Sequence, residues 1–191
     1  MSEQDRNKWN QRYADESYRK RDQPGPFIEE WFPQFSGGKA LDVACGLGHK
    51  ALFLAQAGYQ VDAIDVSVVG LARAEQSASD LGLKINWIEH DLDQSYIFDS
   101  DYDLILVMWY VNLALIRQLC ACLAPGGYLL CEEHLITDQE VIGPQDPAFR
   151  VAPGALREAA RGFEVCSYVE SVDLDADGDR VGRARLVVRN R

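Results

Sequence analysis

The chain has 191 residues, enough for one domain with a well-buried core, and its 47% apolar and 26% charged content is that of an ordinary globular protein. A net charge of −11 repels phosphate backbones and anionic headgroups, so neither nucleic acid nor a membrane is expected as a partner. The longest apolar stretch, Leu104 to Trp109, is far too short to span a bilayer, and the opening Met1-Ser2-Glu3-Gln4-Asp5 carries no secretory signal, which points to the cytoplasm.

Asp5 to Asp15 reads as a short helix with Trp9 and Tyr13 on one face. Asp22-Gln23-Pro24-Gly25-Pro26 is a turn whose last proline suits the first position of a second helix. After a Ser36-Gly37-Gly38 linker, Lys39 to Val43 is a first strand, followed by a glycine turn and a helix from His49 to Ala57. Gln60 to Asp65 is a second strand, and Ser67 caps a helix ending near Gly82. Ile85 to Glu89 is a third strand. Tyr102 to Met108 is a fourth, with the unbroken apolar run of a strand covered on both faces. A helix from Val111 to Leu123 stops at Pro125-Gly126-Gly127, and Tyr128 to Glu133 is a fifth strand. A long loop, a helix from Pro153 to Arg161 and a hairpin of Phe163–Glu170 with Arg180–Val188 complete the chain. No repeat is visible. Residues 1–38 read as a helical cover and 39–191 as the core of a single domain.

Five cysteines (Cys45, Cys120, Cys122, Cys131, Cys166) are an odd number without framework spacing, so they read as free thiols used for packing. Cys120 and Cys122, two apart on an expected helix, point to different faces and cannot share a metal; no metal site is expected. Arg180, Arg183, Arg185, Arg189 and Arg191 read as a solvated strand face. Asp173-Leu174-Asp175-Ala176-Asp177-Gly178 imitates the start of a calcium loop, but the closing glutamate would fall on Ala184, so a hairpin turn is expected.

Strands alternating with helices imply βαβ units, a mostly parallel sheet covered on both faces, and a ligand crevice at the carboxyl ends of the strands. The chemistry-bearing residues follow the strands. Asp42-Val43-Ala44-Cys45-Gly46-Leu47-Gly48 runs a strand into two glycines, where a missing Cβ lets a ligand approach the backbone. Gly46-Leu47-Gly48-His49-Lys50-Ala51 also fits the dinucleotide fingerprint, so a nicotinamide-dependent oxidoreductase stays open. Asp42 just before the turn argues against a pyrophosphate there and for a cationic ligand. Asp65 closes the second strand, where a carboxylate can accept both hydroxyls of a ribose. Asp91, after the third, can accept from an exocyclic amine.

These residues resemble the class I S-adenosylmethionine-dependent methyltransferases, and most of all their small tellurite-resistance-type branch. The carrying motifs are Leu41-Asp42-Val43-Ala44-Cys45-Gly46-Leu47-Gly48, Asp65 with Ser67, Asp91-Leu92, Tyr102-Asp103-Leu104-Ile105 and Leu123-Ala124-Pro125-Gly126-Gly127-Tyr128-Leu129-Leu130. Trp9-Asn10-Gln11-Arg12-Tyr13 and Phe149-Arg150-Val151-Ala152-Pro153-Gly154-Ala155-Leu156 extend it. The resemblance implies a three-layer Rossmann-like α/β fold with a seven-stranded sheet whose last strand is antiparallel and inserted beside the fifth. It implies S-adenosyl-L-methionine as cofactor, with Asp42, Gly46 and Gly48 under its methionine part, Asp65 at the ribose and Asp91 at the adenine. Ala44, Val66, Leu92 and Met108 are further candidate cofactor-binding residues, and Arg12 is a candidate partner of the cofactor carboxylate, with a surface ion pair as the alternative. Ala44 departs from the usual glycine.

The methyl acceptor, a small molecule, would lie after the fourth and fifth strands. Trp109, Tyr110, Glu133 and His134 fall there, with Trp9, Tyr13, Tyr18 and Phe149 as an aromatic lid from the flanking segments. Tyr110 and His134 are the candidate acid/base groups. The expected activity is methyl transfer to a thiol, a metalloid oxyanion or a hydroxylated metabolite, by a monomer or homodimer. The alternatives are the oxidoreductase and a cofactor-binding module without turnover.

Overall fold

A computed structural model describes residues 3–15, 18, 24–175 and 177–191, apart from the side chain of Gln4. Most of Asp22-Gln23-Pro24, and Ala176 of the calcium-like loop, therefore lie outside the described residues. The most apolar segments make the middle of one seven-stranded sheet of order β3-β2-β1-β4-β5-β7-β6. Strands β1 (Lys39–Val43), β2 (Gln60–Asp65), β3 (Ile85–Glu89), β4 (Tyr102–Met108) and β5 (Leu123–His134) pair in parallel. The closing hairpin, β6 (Glu164–Leu174) and β7 (Arg180–Arg189), adds β7 antiparallel to β5, with β6 outside it. The expected insertion of the last strand beside the fifth is what the sheet shows.

Alternate side chains of each strand enter two separate cores. Leu41, Val43, Ile105, Val107, Leu129 and Cys131 pack against α5 (Leu113–Cys120) and α6 (Ala155–Ala159). Leu104, Leu106 and Leu130 pack on the other face, against α2 (Pro26–Trp31), α3 (His49–Gln56) and Leu71 of α4 (Val68–Asp80). Helices on both faces satisfy the strands that are apolar on both sides. Strand order reverses between β1 and β4, so the loops leaving these two strands diverge and open a crevice.

Several boundaries differ from the sequence reading. Helix α5 starts at Leu113 because Asn112 caps it, its side chain accepting from Leu115 N at 3.0 Å. Pro125-Gly126-Gly127 does not precede β5 but bulges within it: Tyr102 pairs with Leu123 and Leu104 with Tyr128. Asn190 ties this bulge, its carbonyl accepting from Gly126 N at 2.7 Å and its amide donating to Leu123 O at 2.8 Å. Cys166 is no packing residue. A register shift between Val165 and Ser167 leaves it exposed on the edge strand, whereas Cys45, Cys120 and Cys131 are buried. Asp175 is consumed by the β6–β7 turn, its Oδ1 accepting from Asp177 N and Asp179 N. Of the terminal arginines, Arg183 and Arg185 pair with Glu132 and Asp173, and Arg191 pairs with Glu164. Among the described residues, no helix is long and apolar enough to cross a membrane.

Candidate functional site at the carboxyl edge of the sheet

The two glycines of the first turn do different things. Both are left-handed, at φ +56 for Gly46 and +71 for Gly48. A Cβ on Gly48 would meet Trp87 of β3 at 2.7 Å and Ala74 of α4 at 2.8 Å. That bare Cα therefore lets α4 and β3 pack closely, and it does not face a ligand. A Cβ on Gly46 would instead meet the Tyr13 hydroxyl at 2.6 Å, on the crest side. Ala44 is left-handed too, at φ +54, a conformation that costs an alanine about 1–2 kcal/mol over the glycine usual in the motif.

Three acids surround this turn. Asp42 is buried at the end of β1, and its Oδ2 accepts from Ala51 N at 3.0 Å, tying the strand to the first turn of α3. Burial pushes its carboxyl up to about 6, against the lowering pull of Lys50 and of the Ala51 N–H. Asp65 is buried at the end of β2; Oδ2 accepts from Gly46 N and Oδ1 from Ser67 N, both at 2.8 Å. Burial raises its pKa also, and the backbone N–H bonds oppose the rise. Each Asp65 oxygen keeps a second lone pair, so a vicinal diol can still be received there. Asp91 sits in the turn after β3, accepting from Asp93 N at 3.0 Å; Val66 is buried, and the Leu92 side chain belongs to the α5-side core. Met108 ends β4 within the opposite core.

Helix α1 (Glu3–Ala14) lies across this edge and packs on α4. Asn10 Oδ1 accepts from Ser67 Oγ at 2.6 Å, and Arg73 of α4 donates to the carbonyls of Tyr13 and Asp15. Tyr13 is buried against Gly46 and Gly70; Trp9 stacks on it at 5.4 Å, and Tyr18 meets it edge-on at 5.5 Å. Arg12 lies over the Trp9 and Tyr18 rings, at 5.3 and 4.8 Å. Lys8 Nζ stands 5.4 Å over the Phe149 ring, so α1 reaches the loop after β5. The structure thus gathers Trp9, Tyr13, Tyr18 and Phe149 around one edge.

The residues after β4 and β5 divide between the two faces. Tyr110 turns to the α5 side, where its hydroxyl donates to Asp93 Oδ1 at 2.8 Å. Burial and that hydrogen bond push the phenol pKa up, so Tyr110 is no general base. Glu133 is buried; Oε1 accepts from Tyr110 N at 2.9 Å, and Oε2 has no partner among the described residues. On the other side, His134 packs against Trp109 with ring centroids 4.3 Å apart and planes 36° apart. Burial first, then Arg150 and Arg183, lower the His134 pKa to about 4, so the imidazole is neutral at physiological pH. Tyr110 and His134 are not brought together as a dyad.

Sequence reasoning missed Arg150. Its guanidinium donates to the carbonyls of Leu135 at 3.0 Å, Pro144 at 2.6 Å and Ile142 at 3.3 Å, and so folds the loop after β5 over His134. The signal was an arginine beside a Gly/Pro-rich loop. Gly143, at φ +113, comes so near that a Cβ would meet His134 Cε1 at 2.9 Å.

Glu133 gives a direct test of these energetics. Burial pushes its carboxyl far above the ordinary glutamate range, so the native state holds a proton that the unfolded chain releases. Its stabilising contribution is complete below the unfolded pKa and is lost as pH rises toward the folded one. Glu133→Gln is expected to flatten the fall of Tm with pH. Glu133→Ala is expected to lose about 1–3 kcal/mol, because the Tyr110 N–H loses its acceptor. Thermal melts across neutral and alkaline pH check both. A glutamine variant with the native slope would show that Glu133 does not hold the proton.

Comparison with known proteins follows the same geometry. A family model described as "Methyltransferase domain" matches residues 40–127. Hemagglutinin 1 of Eikenella corrodens is 31% identical over 76% of this chain and 50% of its own length. The probable S-adenosyl-L-methionine-dependent methyltransferase TehB of Haemophilus influenzae is 27% identical over 75% of this chain and 53% of its own. The chain thus spans about half the length of these curated relatives. The crystal structure of Haemophilus influenzae TehB superposes with a TM-score of 0.77 and 23% identity, covering 92% of this chain and 65% of that one.

Proposed function

We propose that the chain is a class I S-adenosylmethionine-dependent methyltransferase domain similar to that of TehB, and that it transfers a methyl group from S-adenosyl-L-methionine to a small-molecule acceptor bound after β4 and β5. The observation that carries this reading is the charge at the glycine turn. A buried carboxylate, Asp42, stands just before the turn where a dinucleotide would put its pyrophosphate. It repels a phosphate and attracts an ammonium and a sulfonium, which disfavours the oxidoreductase reading, whereas Asp65 suits a ribose in either reading.

When bound, the cofactor supplies a methyl carbon on a positively charged sulfur, already a good leaving group. The protein then has to bind, orient and exclude water. Asp65 receives the ribose diol on its free lone pairs while Gly46 N and Ser67 N hold the carboxylate still. Asp42 sets a negative potential under the methionine part. Ala44 and Gly46 keep the turn low, and Val66 and Asp91 border the nucleoside side, while the Leu92 and Met108 side chains stay in the two cores. Tyr13, Trp9, Tyr18 and Phe149 form the cover, and Arg12 is available at its margin. The edge formed by Trp109 and His134 receives the acceptor, while Glu133 is buried on the α5 side beneath Tyr110. The test is calorimetric titration with S-adenosylhomocysteine and NAD, then methyl release into an acceptor panel. NAD binding with no S-adenosylhomocysteine binding overturns the proposal.

The charge also sets a pH dependence. The Asp42 pKa rises from 3.8 in the reference state to about 6 in the folded protein, so between those values the native state binds more protons than the unfolded one. Stability from this group is present at low pH and is lost as pH rises through the folded value. A bound cation favours the ionised form, so cofactor binding releases a proton in this window and weakens on acidification. Calorimetry at about pH 5.5 in two buffers of different ionisation enthalpy is expected to give different heats. Buffer-independent heats would remove Asp42 from the cation's surroundings.

A further inference from the structure

Trp109 is a bulky residue in a backbone conformation that bulky residues avoid. Its φ is +64, yet the side chain is 40% exposed, so no buried packing accounts for it. Two contacts hold it: Trp109 N donates to Glu132 O at 2.9 Å, and the indole rests on the His134 ring. Such strain is kept where the surroundings enforce it, and it aims the indole outward at the ends of β4 and β5.

The neighbours carry little free charge. His134 is neutral. The two cations facing it are already engaged, Arg150 by three carbonyls and Arg183 by Glu132 and Asp173. The segments leaving the same two strands also expose Leu113, Ile136, Ile142 and Phe149. Exposed apolar side chains on the loops leaving the two strands suit an apolar ligand.

We propose that the exposed face of Trp109, backed by the His134 ring, is a platform for an aromatic acceptor, and that the acceptor class is an aryl thiol. This rests on the methyltransferase reading above. The ring pair selects an aromatic face. The described residues of this face offer no base, since Tyr110 is spent on Asp93 and Glu133 is buried, both on the α5 side, and His134 is too weak; this selects a heteroatom that ionises without help. The aryl sulfur bonds the methyl carbon as the carbon–sulfonium bond breaks. The electron pair of that bond stays on the cofactor sulfur, and the thiol proton leaves to water.

The experiment compares benzenethiol, 2-mercaptoethanol and tellurite as acceptors for the full chain and for its Trp109→Leu and Trp109→Phe variants. S-adenosylhomocysteine affinity and Tm are measured alongside. The expected result is a kcat/KM for benzenethiol about tenfold above that for the aliphatic thiol, from the worth of an aromatic contact. Trp109→Leu is expected to raise KM for benzenethiol alone, and Trp109→Phe to restore most of it. Equal treatment of the two thiols, a preference for tellurite, or a ratio that Trp109→Leu leaves unchanged overturns the platform. If S-adenosylhomocysteine binds but nothing is methylated, benzenethiol is titrated into that complex, and no binding overturns the platform while the cofactor site stands. Failure to bind S-adenosylhomocysteine overturns the methyltransferase reading and the platform together.

Discussion

Asp65→Ala is expected to weaken S-adenosylhomocysteine binding by about 1.5–3 kcal/mol, because a charged acceptor shared by two hydroxyls disappears. The structure adds a second cost. The same carboxylate receives Gly46 N and Ser67 N, which its removal leaves without an acceptor. The variant should therefore bind poorly and also melt lower. Asp65→Asn separates little, since its NH2 must face one of those two donors. The useful control is Asp62→Asn, which lies on the same strand but bonds Tyr102 and Asn86 away from the turn. It should lower Tm without touching cofactor affinity. Calorimetry with melts on all three proteins checks this, and an Asp65→Ala protein that folds and binds normally would remove the ribose site from the end of β2.

Deleting residues 1–20 is expected to lower cofactor affinity by more than about tenfold while the sheet stays folded. Burying Tyr13 alone is worth about 1.5–3 kcal/mol, so the segment is firmly docked. Its described contacts fall on Ser67, Gly70 and Arg73 of the α4 region, on Gly46, on Glu89 at the end of β3 and on Phe149 after β5, and no strand pairs with its described residues. Tyr13 lies where the bare Cα of Gly46 leaves room, so the cofactor has to share that space with the ring or shift it. A lid that closes on the cofactor predicts weaker binding after deletion, and a plug that only blocks the site predicts tighter binding. Hydrogen exchange at Gly46 to Ala51, with affinity measured in parallel, decides between them. Tighter binding, or unchanged binding with unchanged protection, removes the lid.

Strands β1 to β4 were legible to the residue because each is a short run bounded by turn residues and buried on both faces, or capped by an acid that ends it. β5 was not. Pro125-Gly126-Gly127 has the local chemistry of a break, and the strand continues past it only because Asn190, far along the chain, ties the bulge. The site divides the same way. Asp42, Gly46 and Asp65 stand at the strand ends where the sequence alone puts them. The packing role of Gly48 depends on Trp87, and the turning of Tyr110 to the α5 face depends on Asp93. Contacts between distant segments leave no periodic signature in a sequence. The Trp109 backbone and the Arg150 clamp belong to that class as well.

The strand order also sets a sequence of assembly. Among the described strands β6 pairs with β7 alone, and β7 bridges it to β5, so β6 has no strand partner until residues 180–189 have been made. The half of the crevice proposed for the cofactor, from β1 to β3, depends on nothing after Glu89 for its strand pairing except β4 beside β1. During synthesis that half can therefore form while the half proposed for the acceptor, walled by β5 and steadied by β7 through Arg183 and Arg185, is still incomplete. A ribosome-stalled chain ending before β7 is a species in which the two halves of the crevice are separated in time.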